Sequence, residues 1–164
     1  MGGGYRPAVV LAPEAPPPPR TAADAAFDPW RVADGRADLT VAFTPVASLL
    51  GGAFVARRDG HSVIALDPAL SDGGRRAALT HELVHDERGG VADPPDAPTA
   101  WAAVVDREER RVDREVVRRL APTDRVAPLL AEMAAGGGGV TAAELAHELE
   151  LPEHLAALAI AACG

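Results

Sequence analysis

The chain has 164 residues, 48% of them hydrophobic, and this length and composition indicate one folded domain with a substantial core. Its 16 basic and 24 acidic residues give a net charge of −8, which argues against direct binding to nucleic acid or to anionic membranes. We find no apolar run long enough to span a bilayer and no signal-peptide pattern, so we expect a cytoplasmic protein. Cys163 is the single cysteine, which excludes an internal disulfide and a cysteine-rich metal site.

Residues 1–26 form a leader that is rich in glycine and proline. They include an unbroken proline run from Pro16 to Pro19, and such a composition predicts a flexible spacer. The alternative is a ligand for a proline-binding domain. The folded domain is then expected to span residues 27–162.

Short segments rich in β-branched and aromatic residues follow the leader. They span residues 39–46, 53–57 and 62–66. Asp59-Gly60 lies between the second and third of these segments, and an Asp-Gly step at this place is a strong hairpin signal. We therefore predict a small antiparallel sheet of about three strands within residues 39–67.

The pattern of apolar residues becomes helical after the predicted sheet. One helix is predicted from Gly73 to Arg88, and a longer one from about residue 100 to residue 120, for which Thr99 is a candidate N-cap. Further helices are predicted at residues 123–135, 141–149 and 152–162. The predicted fold class is α+β, in which the sheet packs against the helices of residues 73–122 and a C-terminal helical bundle of residues 123–162.

The strongest chemical signal is the motif HELVH at residues 81–85, in the first of these helices. Residues i and i+4 of a helix lie about 40° apart around the axis and about 6 Å apart along it, so both imidazoles can reach one metal ion. Glu82 is rotated by about 100° from His81, which places it beside a water rather than as a third ligand. Leu79 and Leu83 lie on the opposite side and give the helix a core face. The alternative is a surface helix that carries two solvated histidines.

The longer helix has one carboxylate within its apolar stripe. The stripe consists of Trp101, Val105, Val112, Val116 and Leu120. Glu109 lies about 40° from Val105 and so falls inside the stripe, whereas Glu108 lies at its edge. A buried carboxylate needs a cation, which a metal ion bound by both histidines would provide. The alternative partner is an arginine that faces the core, either Arg119 or Arg76.

A catalytic zinc ion usually has three protein ligands and one water, so the two histidines require a third residue. Glu109 is our candidate for this ligand. Asp113 lies one turn further along the same helix, where its carboxylate can accept a hydrogen bond from the second N–H group of a ligating imidazole. The alternative for Asp113 is a solvated position on the surface.

Arginines occupy the face of the longer helix opposite the apolar stripe. They are Arg107, Arg110, Arg111, Arg114 and Arg118. Acidic side chains flank this face, so we expect it to be solvated and to contain ion pairs within the helix.

Two segments resemble the ImmA/IrrE-type family of metallopeptidases. The sequence RRAALTHELVHDERG at residues 75–89 resembles the active-site helix of that family, and ERRVDREVVRRLAP at residues 109–122 is similar to its ligand helix. The segment VIALDP at residues 63–68 is also typical of the strand before the active-site helix. The chain has Val112 and Asp113 where alanine and asparagine are usual in the family.

This resemblance implies a zinc-dependent endopeptidase with a small antiparallel sheet beside its metal-site helices. Zn2+ would be bound by His81, His85 and Glu109, with Glu82 as the general base, and such a ligand set also accepts Mn2+ or Fe2+. The implied substrate is a helix-turn-helix transcriptional repressor or a similar regulatory protein. The alternative is a non-proteolytic regulator that contains zinc and inactivates a repressor by binding it.

The remaining histidines and the C-terminal segment are expected to have other roles. His147 and His154 are seven residues apart with Pro152 between them, so they lack the helical spacing of metal ligands. His61 lies beside a predicted turn and is expected to be exposed. The spacing of apolar residues in 140–160 is typical of a helix-turn-helix. This segment is acidic, so packing or docking to a protein is favoured over DNA binding.

Overall fold

The structure, a computed structural model, describes residues 27–89 and 101–164. The strands are β1 (Leu39–Phe43), β2 (Ala53–Arg58) and β3 (His61–Leu66). The helices are α1 (Pro29–Asp34), α2 (Asp72–Arg88), α3 (Trp101–Leu120), α4 (Thr123–Ala134), α5 (Ala142–Leu149) and α6 (Glu153–Cys163), and a 3₁₀ helix spans Pro45–Leu50. The predicted strands and helices are therefore confirmed to within a few residues. The predicted leader of residues 1–26 and the Thr99 cap lie outside the described residues.

The sheet has the order β1-β3-β2, so β3 is its central strand. β2 and β3 pair antiparallel through a tight turn, in which Asp59 and Gly60 have positive φ angles of 52° and 80°. An Asp-Gly hairpin turn requires this backbone, and the predicted hairpin is confirmed. β1 pairs with β3 in parallel, with Val41 opposite Ile64. The α+β class is thus confirmed, but the prediction that the sheet is antiparallel throughout was wrong.

The connection from β1 to β2 explains the parallel pair. The sequence pattern predicted a strand as far as residue 46, but Pro45 has no N–H group for a strand ladder and begins the 3₁₀ helix. Thr44 caps this helix by accepting a hydrogen bond from the Val46 N–H group. The 3₁₀ helix contacts β2 and β3 and carries the chain past the end of β3, so β2 pairs on the other side of that strand.

Helix α1 was not predicted from the sequence, although its first residues contain a helix start signal. The Asp28 carboxylate accepts hydrogen bonds from the N–H groups of Trp30 and Arg31 at 3.0 and 3.3 Å. Pro29 occupies the first turn, where no N–H group is needed. Trp30 stacks on Phe43 with ring centroids 6.1 Å apart, which holds the helix on the sheet.

α2 packs between two hydrophobic clusters. The first lies against the sheet and contains Ala33, Leu39, Ile64, Leu66, Leu79 and Leu83. The second lies among the helices, where Val84 of α2 packs with Val112 and Val116 of α3. Because α2 buries residues on both sides, only a narrow strip of its surface stays accessible to solvent at the motif. The half-buried His81 and His85 lie on this strip.

The C-terminal helices complete the second cluster. Buried residues from α3 to α6 in this cluster include Val117, Leu120, Val126, Leu145, Leu155 and Ala159. These residues form one apolar core that joins the predicted helical bundle to α2 and α3. Full burial of each Val or Leu side chain in it contributes about 1.5–3 kcal/mol. Within the described residues, each helix is too short or too polar to cross a membrane.

The turn between α5 and α6 lies against the first turn of α2. A Cβ atom placed on Gly73 would lie 2.1 Å from the carbonyl oxygen of Glu150 in this turn. The Arg76 guanidinium group donates a hydrogen bond to the Leu149 carbonyl at 2.6 Å. Because the backbones of α2 and the α5–α6 turn come this close, only glycine fits at position 73. The contact holds the C-terminal helices against the helix that carries the motif.

We expect Gly73→Ala to lower the free energy of unfolding by about 1–3 kcal/mol, because the added methyl group would force the α5–α6 turn away from α2. Gly74→Ala is the matched control, since the atom nearest to its Cβ would be a side-chain atom at 3.2 Å, the Ser71 hydroxyl that caps α2, instead of a backbone carbonyl at 2.1 Å. Urea unfolding of both variants measures the difference. Equal stability of the two variants would contradict the close contact.

Candidate metal centre

α2 and α3 bring two imidazoles and one carboxylate to a common point. The Nε2 atoms of His81 and His85 lie 3.0 Å apart. The carboxylate oxygens of Glu109 lie 3.3 Å from these nitrogens, Oε2 from His81 and Oε1 from His85. Donor atoms bound tetrahedrally at about 2.0–2.1 Å from zinc lie about 3.3 Å from one another, so the observed spacing fits a zinc ion. Within the described residues, these three side chains are the one set whose spacing could hold a metal ion. We call this candidate site the metal-binding group.

Glu109 reaches this point from a more exposed position than the helical pattern predicted. Its side chain is 44% exposed, whereas the side chain of Glu108 is 12% exposed. Glu108 is tolerated in its buried position because it forms ion pairs with Arg88 and Arg111. The predicted burial of Glu109 in the apolar stripe was therefore wrong, although its carboxylate does face the two histidines.

The arginines considered as partners for Glu109 have other partners. Arg119 pairs with Glu87 and Glu115 at 2.6 and 2.8 Å. Arg76 donates to a backbone carbonyl in the α5–α6 turn. Neither arginine neutralises Glu109, and the imidazoles of the motif are its neighbours instead.

Glu82 is buried beside the metal-binding group without belonging to it. Burial raises the pKa of its carboxyl group, and the nearby Glu109 carboxylate adds to this effect. The charge of His85 and a hydrogen bond from the backbone N–H group of Val55 act in the opposite direction. The net rise in pKa brings this carboxylate closer to the range of an effective general base.

His81 turns its second ring nitrogen towards α3, where Nδ1 lies 3.5 Å from Oδ1 of Asp113. Burial lowers the pKa of His81 and the neighbouring His85 lowers it further, while Glu109 and Asp113 oppose both effects. The neutral imidazole, which is the form that binds a metal, is therefore favoured. A carboxylate behind a histidine is the usual arrangement at protein metal sites, and it orients the imidazole ring.

Asp86, which was not predicted as a functional residue, follows His85 and joins α2 to the sheet. Its side chain is 2% exposed. Oδ1 accepts a hydrogen bond from the Ser62 hydroxyl group at 2.5 Å, and Oδ2 lies 2.7 Å from a guanidinium nitrogen of Arg36. A nitrogen of Arg57 lies 3.4 Å from Oδ1. Burial alone would raise the pKa of Asp86, but the hydrogen bond from Ser62 and the ion pair with Arg36 lower it overall.

The other histidines lie outside the metal-binding group. His61, His147 and His154 are all exposed. His61 shares a hydrogen bond with the Thr40 hydroxyl group at 2.9 Å, on the surface of the sheet.

Comparisons of the chain with protein-family models, with curated proteins and with solved structures gave no match. The resemblance to ImmA/IrrE-type metallopeptidases therefore stays a prediction. The chemistry and spacing of the residues in the site are what indicate its function.

We expect the purified protein to bind about one zinc ion per chain, and Glu109→Gln to weaken this binding by more than about tenfold, since even the loss of an outer partner typically costs about 10–100-fold. Glu108→Gln is the matched control, because Glu108 pairs with Arg88 and Arg111 instead of facing the histidines. Competition with a chromogenic chelator measures both affinities. Equal zinc affinity in the two variants would contradict the role of Glu109.

Asp86→Asn should lower the free energy of unfolding at neutral pH by about 1.5–3 kcal/mol, the usual contribution of hydrogen bonds to a charged group. The folded-state pKa of Asp86 lies below its ordinary value of 3.8. The stabilisation is therefore present above that value and is lost as the pH falls through the folded-state pKa.

Urea unfolding between about pH 7 and about pH 3 measures this dependence, and the difference between the two proteins should shrink at the acidic end. Asp106→Asn, an exposed position on α3, is the control. A difference that does not change with pH would contradict the role of the Asp86 charge.

Proposed function

We propose that this protein is a zinc-dependent endopeptidase. The observation that carries this proposal is the convergence of two imidazole nitrogens and one carboxylate, with the Glu82 carboxylate buried at their side. Two histidines and one glutamate form a known ligand set of catalytic zinc. A structural zinc site usually has four protein ligands, whereas the described residues supply three here.

The exposure of the donor side chains also supports a catalytic site. His81, His85 and Glu109 are 26%, 16% and 44% exposed, so an ion held by them would remain accessible to water and substrate. Zn2+ would supply a Lewis acid that polarises a carbonyl group and lowers the pKa of water. Mn2+ and Fe2+ are alternatives for the same donor set.

Glu82 is the proposed general base. Its carboxylate would accept a proton from the attacking water and would then donate it to the nitrogen of the departing amine. Burial supports this role because it raises the pKa of Glu82, and a carboxylate of very low pKa accepts protons poorly. The nearby Val55 N–H group favours the ionised form of this carboxylate, and Asp113 would orient the His81 ring.

The outer edge of β2 is the surface that we assign to the substrate. Within the described residues, β2 pairs on one side, with β3. In an antiparallel pair, every second residue forms backbone hydrogen bonds with the neighbouring strand. Val55 is one of the residues between these, so its N–H and C=O groups point away from β3. The Val55 N–H group is near enough to the Glu82 carboxylate to lower its pKa, so a peptide that pairs with this edge would pass beside the base.

A regulatory protein is the proposed class of substrate. This part of the proposal comes from the resemblance of residues 75–89 and 109–122 to the ImmA/IrrE-type family, whose members include peptidases that act on helix-turn-helix repressors. A repressor of this kind is a cytoplasmic protein, so the proposal places the enzyme in the cytoplasm. The alternative function, a non-proteolytic regulator that contains zinc and binds the repressor, does not require Glu82 as a base.

Glu82→Gln separates the two functions. We expect this variant to retain zinc but to lose peptidase activity by more than about 100-fold, since a general acid or base contributes about 10²–10⁴-fold. Activity is measured by adding the zinc-loaded full chain to a cytosolic extract and identifying new peptide N-termini by labelling and mass spectrometry. Glu148→Gln, at an exposed position on α5, is the control.

New N-termini that appear with the wild type and Glu148→Gln, but not with Glu82→Gln, would support the peptidase. The absence of any termini that depend on Glu82, together with stoichiometric binding of a repressor by both the wild type and Glu82→Gln, would contradict the peptidase. That second result would favour the regulator.

A further inference from the structure

A cleft lies between α2 and α3, and none of its residues belongs to the metal-binding group. Its volume is about 460 Å³, and it is open to solvent rather than enclosed. From α2 it is lined by Val84, Glu87 and Arg88. From α3 it is lined by Arg111, Arg114, Glu115, Arg118 and Arg119.

The cleft is positively charged although the protein as a whole is acidic. Five arginines and two glutamates line it and give it a net charge of +3, whereas the whole chain has a charge of −8. Glu108 pairs with Arg88 and Arg111, and counting it still leaves five guanidinium groups against three carboxylates. Part of the arginine face that was predicted to be solvated thus lines a concave surface.

One wall of the cleft is a fixed network of ion pairs. Arg119 donates two hydrogen bonds to Glu87, at 3.0 and 2.6 Å, and a third to Glu115 at 2.8 Å. Arg118 donates two more to Glu115, at 2.8 and 2.6 Å. The hydrogen bond from Arg118 lowers the pKa of Glu115 to about 2, so this carboxylate stays ionised at neutral pH. These arginines are already paired and give that wall a defined shape.

Two other arginines of the cleft have donors available. Arg111 approaches Glu108 to 3.4 Å, which is a long contact, and its side chain is 52% exposed. Arg114 is exposed and has no ion-pair or hydrogen-bond partner in the part of the chain that the structure describes. A guanidinium group has five N–H donors in a planar arrangement that suits a carboxylate. The cleft therefore offers binding positions for two further anionic groups.

We propose that this cleft binds an acidic peptide segment, in which two neighbouring carboxylates pair with Arg111 and Arg114. Three carboxylates, those of Glu87, Glu115 and the adjacent Glu108, already pair with the three other arginines of the cleft. The available positive charge is therefore limited to Arg111 and Arg114 and matches two adjacent acidic residues. A nucleic acid would require several successive phosphate contacts, and the net charge of −8 opposes such binding. The acidic peptide is therefore the occupant that the charge distribution favours.

The cleft and the proposed metal ligand lie on opposite sides of α3. At about 100° per residue, Arg111 and Arg114 lie about 160° and about 140° from Glu109 around the helix axis. A segment bound in the cleft would thus stay outside the metal site. Its binding does not depend on zinc or on peptidase activity.

Fluorescence anisotropy with the full chain tests this proposal, with and without zinc. The probe is a labelled peptide that contains two adjacent aspartates, and the reference is the same peptide with asparagines in their place. Arg111→Gln combined with Arg114→Gln is the cleft variant. Arg107→Gln combined with Arg110→Gln is the control, because it removes the same charge from exposed positions of α3 that do not line the cleft.

We expect the wild type and the control to bind the acidic peptide and the cleft variant to bind it at least about tenfold more weakly, as the loss of charged hydrogen bonds implies. The asparagine peptide should not bind. Equal weakening in both double variants would show a general charge effect and would overturn the proposal. So would a wild type that binds no acidic peptide, tighter binding of single-stranded DNA of matched length, or full displacement by equimolar inorganic phosphate.

Discussion

The buried carboxylate of Asp86 joins the helix that carries the HELVH motif to the sheet. It meets Ser62 of β3, Arg36 from the connection between α1 and β1, and Arg57 of β2, all within 3.4 Å. A charge at this depth requires such partners, because an unpaired buried carboxylate is strongly destabilising. Since the partners come from three separate segments, α2 docks on the sheet in one rotational position. That position turns the two histidines away from the sheet and towards α3.

The rotation of α3 is set by contacts outside the metal-binding group. Val112 and Val116 are buried in the helical cluster, and Arg119 reaches across to Glu87 of α2. These contacts fix the direction of Glu109, which lies less than one turn before Val112. The three donors therefore come from two helices whose orientations are determined independently of any ligand. A metal or catalytic site depends on such support, because small errors in the position of each donor weaken it.

Features that depend on one helix could be predicted from the sequence, whereas features that depend on contacts between elements could not. The spacing of the histidines and the direction of Glu109 follow from helix geometry. Helix geometry does not show which of the two adjacent glutamates is buried. Arg88 of α2 pairs with Glu108, and this ion pair stabilises Glu108 in the buried position. Asp86 was missed although it lies about 20° from Leu79 around α2, within the core stripe, where a charge needs a partner. The parallel pairing of β1 has no local signal, because turn residues identify only the hairpin between consecutive strands.

The contact between the α5–α6 turn and α2 couples the local stability of the C-terminal helices to that of the helix that carries His81 and His85. Gly73 and Arg76 hold this turn against the start of α2, about two turns before His81. A ligand that binds the folded chain alone stabilises every element that must open together with its site. An ion bound by the motif would therefore slow the local opening of α2 and, with it, the amide hydrogen exchange of α5 and α6. The hydrogen-exchange rates of those two helices would then depend on metal occupancy, although neither helix contributes a donor atom.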